Sequence, residues 1–184
     1  GVSLTDSIAL RRAEALRALE YCGATSRFLD LPNVDLTLDD HCINEFRKAL
    51  IGQQPDLILA PWMFDRPEKH RLCSAALCEA LKQLPHLHGT PLWGYQVHNC
   101  LFPNVVIDIT EFVDIKTRMI QCHRSQIQSV APFDHHIIGM NQWNARYLTS
   151  NRRGFAEVYC GLPIEQWLAL YEQVIVPRVD DFIT

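Results

Sequence analysis

The chain has 184 residues, of which 48% are hydrophobic, a length and composition that allow one globular domain with a sizeable core. Asp and Glu outnumber Lys and Arg by 21 to 17, and no basic stripe runs along the sequence, which argues against a nucleic-acid partner. No apolar run is long enough for a membrane span, and the first residues lack the order of a signal peptide. The seven cysteines are scattered without a CxxC pair and mostly at apolar positions, as expected of reduced core thiols in a cytoplasmic protein.

The first predicted element is a helix from about Asp6 to Cys22, rich in Ala, Leu, Arg and Glu and closed by Gly23 at a position suited to a left-handed cap. Arg27 to Leu31 reads as a short strand, turned by Pro32-Asn33. Asp39 or Asp40 caps a second helix with Ile43, Phe46 and Leu50 on one face and Gly52 at its end. Pro55-Asp56-Leu57-Ile58-Leu59-Ala60-Pro61 is a continuous apolar run between prolines, the pattern of a central strand covered on both faces.

A third helix is predicted from Pro67 to about Leu84, with Cys73, Leu77, Ala80, Leu81 and Leu84 on its buried side. Leu92 to His98 and Val105 to Ile109 flank Asn99 to Asn104 and suggest an edge hairpin. Thr110 is placed to cap a fourth helix that carries Phe112, Ile115, Met119 and Cys122 and runs on through His123 to about Ile127. His136 to Leu148 is expected to be helical, Phe155 to Cys160 extended, and Ile164 to Val176 helical before Pro177. No linker or internal repeat interrupts the chain, so a single domain over 1–184 is expected. Because a parallel α/β domain usually opens on its central strand, whereas this chain opens on a helix, strands are expected to be missing upstream.

In open α/β sheets ligands bind beyond the carboxyl ends of the strands, which directs attention to Trp62-Met63-Phe64-Asp65-Arg66-Pro67-Glu68-Lys69-His70-Arg71. The spacing of His70, Cys73, Leu77 and Leu81 turns His70 towards the sheet, where an imidazole beside Asp65 suits a zinc ligand whose ring a carboxylate orients. On spacing alone the bland reading is the favoured one: a buried histidine satisfied by a backbone carbonyl, with Asp65 capping the helix. Trp62 fits equally a platform for a sugar ring or a core filler.

Other clusters carry less. Asp134-His135-His136 has adjacent imidazoles pointing different ways and reads as surface or helix start. His123 and Ser125 lie two apart on a predicted helix and do not face each other, so they are no nucleophile and base. His86-Leu87-His88, between Pro85 and Gly89, reads as a solvated loop. No glycine-rich phosphate loop is present, which excludes the usual nucleotide-binding motifs.

Several separated pieces occur in one order: Arg11-Arg12-Ala13-Glu14 followed by Ala18 and Gly23; Pro55 to Pro61; Asp65 with His70-Arg71; Lys116 through His123-Arg124-Ser125-Gln126; and Ala156-Glu157. In these the chain resembles the LmbE-like (PIG-L) family of de-N-acetylases across nearly its whole length. The resemblance implies a Rossmann-like, three-layer α/β/α fold with a mostly parallel sheet, and zinc-dependent removal of an N-acetyl or other N-acyl group from an amino-sugar compound, zinc being replaceable by another divalent metal. It further implies three zinc ligands, a His and an Asp of an early His-Pro-Asp-Asp motif and a later histidine matched by His70. That early motif, which also supplies the general base, is absent from this sequence, so a complementary N-terminal fragment is the expected partner. Pro67 and Lys69 replace the histidine and aspartate usual at their positions, which leaves Lys69 and Arg66 as candidate cationic partners for a developing oxyanion. The alternative is a non-catalytic sugar-binding or interaction module of the same fold, with a degenerate metal site.

Overall fold

The computed structural model of the chain describes residues 4–32, 35–150 and 152–175, with the side chain of Ser129 left aside. It is a mixed α/β protein with a four-stranded open sheet in the order β1-β2-β4-β3, where β1 is Ile58–Pro61, β2 Pro91–Tyr95, β3 Val105–Asp108 and β4 Ala156–Pro163. β1 and β2 run parallel, whereas β2 and β4 are antiparallel, so the sheet is mixed where a mostly parallel one was expected. The chain divides into two compact units, residues 1–27 with 106–157 and residues 28–105 with 158–184.

In the first unit, α1 (Leu4–Glu20) packs on α4 (Val113–Gln121) and α5 (Arg124–Ser129), and α6 (Phe133–Asn144) packs on both of the latter. α1 ends as the sequence predicts, with Gly23 at φ +65° in the left-handed region. The single fourth helix expected through Ile127 is instead two. His123, at φ −85° and ψ 50°, breaks it. The break is held by Glu14 of α1, whose Oε1 accepts the Ser125 N–H at 2.8 Å and whose Oε2 accepts the Ser125 hydroxyl at 2.7 Å. Thr110 opens a 3₁₀ turn and does not cap it; its N–H and hydroxyl donate to Asp108 Oδ1, and its own oxygen accepts the Phe155 N–H. Lys116 pairs with Glu157, and the buried Asn141 donates to the Ala156 carbonyl at 3.0 Å. Asp134, His135 and His136 lie in the first turn of α6, with both histidines exposed.

The second unit holds α2 (Asp40–Leu50), α3 (Glu68–Lys82), β1, β2, most of β4 and α7 (Ile164–Leu170), which passes into a π turn over Tyr171–Ile175. Asp39 caps α2, its carboxylate accepting the Cys42 N–H at 2.8 Å, and Gly52 follows at φ +76°. Three sequence expectations change here. Arg27 to Leu31 is not a strand, because Asp30 sits at φ +57°, outside extended space. The apolar run at 55–61 does form β1, but β1 stands at one end of the strand order and not at its centre, and Leu59 is 50% exposed. The hairpin of β2 with β3 is also absent. The nine-residue connection between them imposes no tight turn, and the longer β4 takes the position between them. The predicted end of the last helix at Val176 lies outside the described residues.

The core of this unit is mostly aliphatic, with a pair of tryptophans within it. Trp167 on α7 is 1% exposed and donates its indole N–H to the Leu92 carbonyl at 2.7 Å, and Trp62 meets it edge-on with ring centres 5.7 Å apart. Gly94 makes this possible: a Cβ there would stand 2.9 Å from both Trp167 Cη2 and Trp62 Cε3. Gly94→Ala should therefore cost about 1–3 kcal/mol by overpacking, read as a lowered midpoint of urea unfolding; an unchanged midpoint would show that the tryptophans move aside freely.

All seven cysteines are free; Cys42 and Cys78 are core thiols, whereas Cys22 and Cys100 are exposed. Burial pushes the Cys78 thiol up to about 12, so it stays protonated and inert. Among the described residues no helix is long and apolar enough to cross a membrane.

Candidate functional site

Two parallel neighbours deliver their carboxyl ends to the same side of a sheet, and Pro61 of β1 is in register with Tyr95 of β2. The segments leaving these two strands therefore emerge together. From β1 the chain passes Trp62, whose N–H donates to the Tyr95 carbonyl at 3.1 Å, and closes a turn in which the Asp65 N–H donates to the Trp62 carbonyl at 2.9 Å. α3 then begins at Glu68 behind Pro67, and its Ser74 hydroxyl donates to the Pro61 carbonyl at 2.7 Å, tying helix to strand end. From β2 the chain passes Gln96 and Val97 to His98 and Asn99.

Asp65 joins the two segments and is fully buried. Its Oδ2 accepts from His70 Nδ1 at 2.6 Å, while Oδ1 accepts the N–H groups of His98 at 3.1 Å and Asn99 at 2.8 Å. Burial by itself would raise this carboxyl, but the hydrogen bond from His70 and the backbone donors of Asn99, His98 and Arg66 outweigh it and hold Asp65 below the usual carboxylate range. Two further bonds brace the turn: Asn99 Nδ2 donates to the Phe64 carbonyl at 2.9 Å, and the Arg71 guanidinium donates to the Asp65 carbonyl, also at 2.9 Å.

An ionised Asp65 can only accept, so His70 carries a proton on Nδ1, and in the neutral form of the ring the lone pair is then at Nε2. The side chain of His70 is 33% exposed, so the ring is held by Asp65 and still reaches solvent in part. This is the arrangement by which a carboxylate sets the tautomer of a ligating or acid–base histidine. The imidazole of His98, itself exposed, stands with its ring centre 5.6 Å from that of His70 and tilted by 39°.

The structure thus brings Asp65 and His70 together as the spacing suggests, and Asp65 bonds the ring directly instead of capping α3, whose first residues have no side-chain cap. Trp62 is 8% exposed and packed against Phe64 and Trp167. Arg66 is exposed and Lys69 half-buried, on either side of Pro67. His98 and Asn99 escape the sequence reading because they fall at the last residue of the expected hairpin strand and the first of its turn, far from His70 in sequence; only the parallel pairing of β1 with β2 reveals them.

Among the described residues no group of three or more His, Cys, Asp or Glu stands together as a complete metal site. An imidazole oriented by a buried carboxylate is a donor type that suits a divalent ion.

No family model matches the chain. Solved structures do resemble it. The 4-carboxy-2-hydroxymuconate hydratase GalB of Pseudomonas putida superposes with a TM-score of 0.71 at 20% identity, over 88% of this chain and 74% of the hydratase. The conserved protein TT1542 of Thermus thermophilus gives 0.69 at 22% identity, over 82% and 72%. The N,N'-diacetylchitobiose deacetylase of Pyrococcus horikoshii, solved with an inhibitor, gives 0.71 at 18% identity, over 89% and 67%. The chain therefore has the α/β fold that a sugar deacetylase shares with a hydratase, and the likeness reaches as far as the fold.

Proposed function

We propose that this chain belongs to a zinc-dependent hydrolase that removes an N-acyl group from an amino-sugar compound, with His70 supplying one ligand and donors outside the described residues completing the site. The observation that carries the reading is the imidazole at the carboxyl end of β1, its Nδ1 bound to the buried Asp65 at 2.6 Å and its ring partly open. The likeness in fold to a diacetylchitobiose deacetylase supports it, as does the family resemblance of the sequence.

When bound, a divalent ion would polarise the amide carbonyl and acidify a water. This chain's own residues do the rest of what is proposed for it. Asp65 keeps the proton on Nδ1, and so keeps Nε2 available as a donor. Arg66 and Lys69, which flank Pro67 in the sequence, are the proposed cations for the charge that develops on the carbonyl oxygen. The base that receives the water proton is placed outside the described residues.

The test is metal content and N-acetyl release from N,N'-diacetylchitobiose by the longest natural form of the chain. His70→Ala is expected to weaken zinc by about 10–100-fold or more and to abolish release, with Lys69→Ala and Arg66→Ala slowing it. A full-length protein that holds no stoichiometric zinc and releases no acetate would leave a binding module of the same fold as the better account.

A further inference from the structure

The segment that leaves β2 is fixed at both of its ends. At its start the N–H groups of His98 and Asn99 donate to Asp65 Oδ1, and Asn99 Nδ2 donates to the Phe64 carbonyl. At its end Asn104 is tied to β4: its N–H donates to the Tyr159 carbonyl at 3.1 Å, its Nδ2 donates to the Gly161 carbonyl at 2.7 Å, and its Oδ1 accepts the Gly161 N–H at 2.7 Å. Between these ties Leu101 is buried. Phe102 follows it and is 91% exposed, more than any other large hydrophobic side chain among the described residues.

Scattered exposed apolar residues are ordinary, and Phe102 is set apart by its place. It stands three residues beyond Asn99, so the two Cα atoms are at most about 11 Å apart, and Asn99 shares with His70 the two oxygens of Asp65. The candidate sugar platform of the sequence, Trp62, is 8% exposed and packed into the core. That leaves the platform role open on the neighbouring segment. We infer that Phe102 is a specificity-determining residue for an amino-sugar compound of more than one unit, its ring stacking on the apolar face of the unit next to the one whose N-acyl group meets His70. The inference rests on the hydrolase reading above and adds to it a second contact and a preference for substrate length. Phe102 touches no reacting atom, so it acts on substrate affinity and not on the chemical step.

The experiment compares the longest natural chain with Phe102→Ala and Phe102→Tyr on N,N'-diacetylchitobiose and on N-acetylglucosamine, by acetate release and by NMR titration of the Phe102 ring signals. Phe102→Ala should raise KM for the disaccharide about tenfold relative to that for the single sugar, the worth of covering one aromatic face. The effect should fall on KM and not on kcat, and Phe102→Tyr should restore it. The urea midpoint should stay in place, since so exposed a ring supports no packing. An unchanged disaccharide KM in Phe102→Ala, or an equal loss on both sugars, removes Phe102 from this role and leaves the hydrolase reading intact. If the parent releases no acetate from either sugar, that reading fails on its own and the titration decides the rest. A Phe102 ring signal that shifts with the disaccharide then keeps the platform on a sugar-binding module, and one that does not shift ends it.

Discussion

Asp65→Asn is expected to leave the protein folded while reversing the tautomer of His70. The asparagine carbonyl can still accept the amides of His98 and Asn99, but its NH₂ then faces His70 Nδ1, where the carboxylate accepted a hydrogen bond at 2.6 Å. The neutral ring answers by moving its proton to Nε2 and accepting on Nδ1, which removes the lone pair from Nε2. Nitrogen NMR reads this directly, as an Nδ1–H ring in the parent and an Nε2–H ring in the variant. Asp65→Ala goes further. It strands two backbone donors and the imidazole beside a cavity, and the loss should be about 2–4 kcal/mol in urea unfolding, larger than for Asn. An unchanged tautomer in Asp65→Asn would mean that something other than Asp65 orients the ring, and the metal-ligand assignment of His70 would lose its physical basis.

The difference between what could be read in advance and what could not follows the range of the interactions. Local chemistry was legible: Gly23 and Gly52 end helices at positive φ, Asp39 caps α2, and Pro67 stands before α3. So was the Asp65–His70 pair, because five residues across a turn and one helical step are enough to bring the two together. Strand pairing was not. β1 is as apolar as a central strand yet ends the strand order, and β4 lies between β2 and β3, because periodicity reports burial and carries no information on which strand is the neighbour. The same limit hid His98 and Asn99, which meet Asp65 only through the alignment of Pro61 with Tyr95. The break at His123 was hidden for a related reason. The sequence from Thr110 to Ile127 supports one helix, and the group that ends it is an acid more than a hundred residues earlier.

That acid makes the second large effect. Glu14 is 2% exposed, and both its oxygens are used by Ser125, so the start of α5 depends on α1 for the donors it cannot satisfy itself. Burial alone would raise the carboxyl, but the side-chain and backbone hydrogen bonds from Ser125, with the nearby charges of His123 and Arg17, hold it below its ordinary value of 4.5. Glu14→Ala should cost about 2–4 kcal/mol at neutral pH, since it removes the buried acceptor of the part-buried Ser125 N–H and hydroxyl. The sign of the pH dependence follows from the lowered folded value: the contribution is complete above the unfolded pKa and is lost as pH falls through the folded one. The stability gap between parent and Glu14→Ala should therefore be constant from pH 7 to about 5 and narrow below 4.5. Hydrogen exchange at the Ser125 amide locates the effect, slow in the parent and fast in the variant. A gap that stays the same down to about pH 3 would show that Glu14 acts through packing and not through its charge, and the account of why α4 and α5 part at His123 would fail with it.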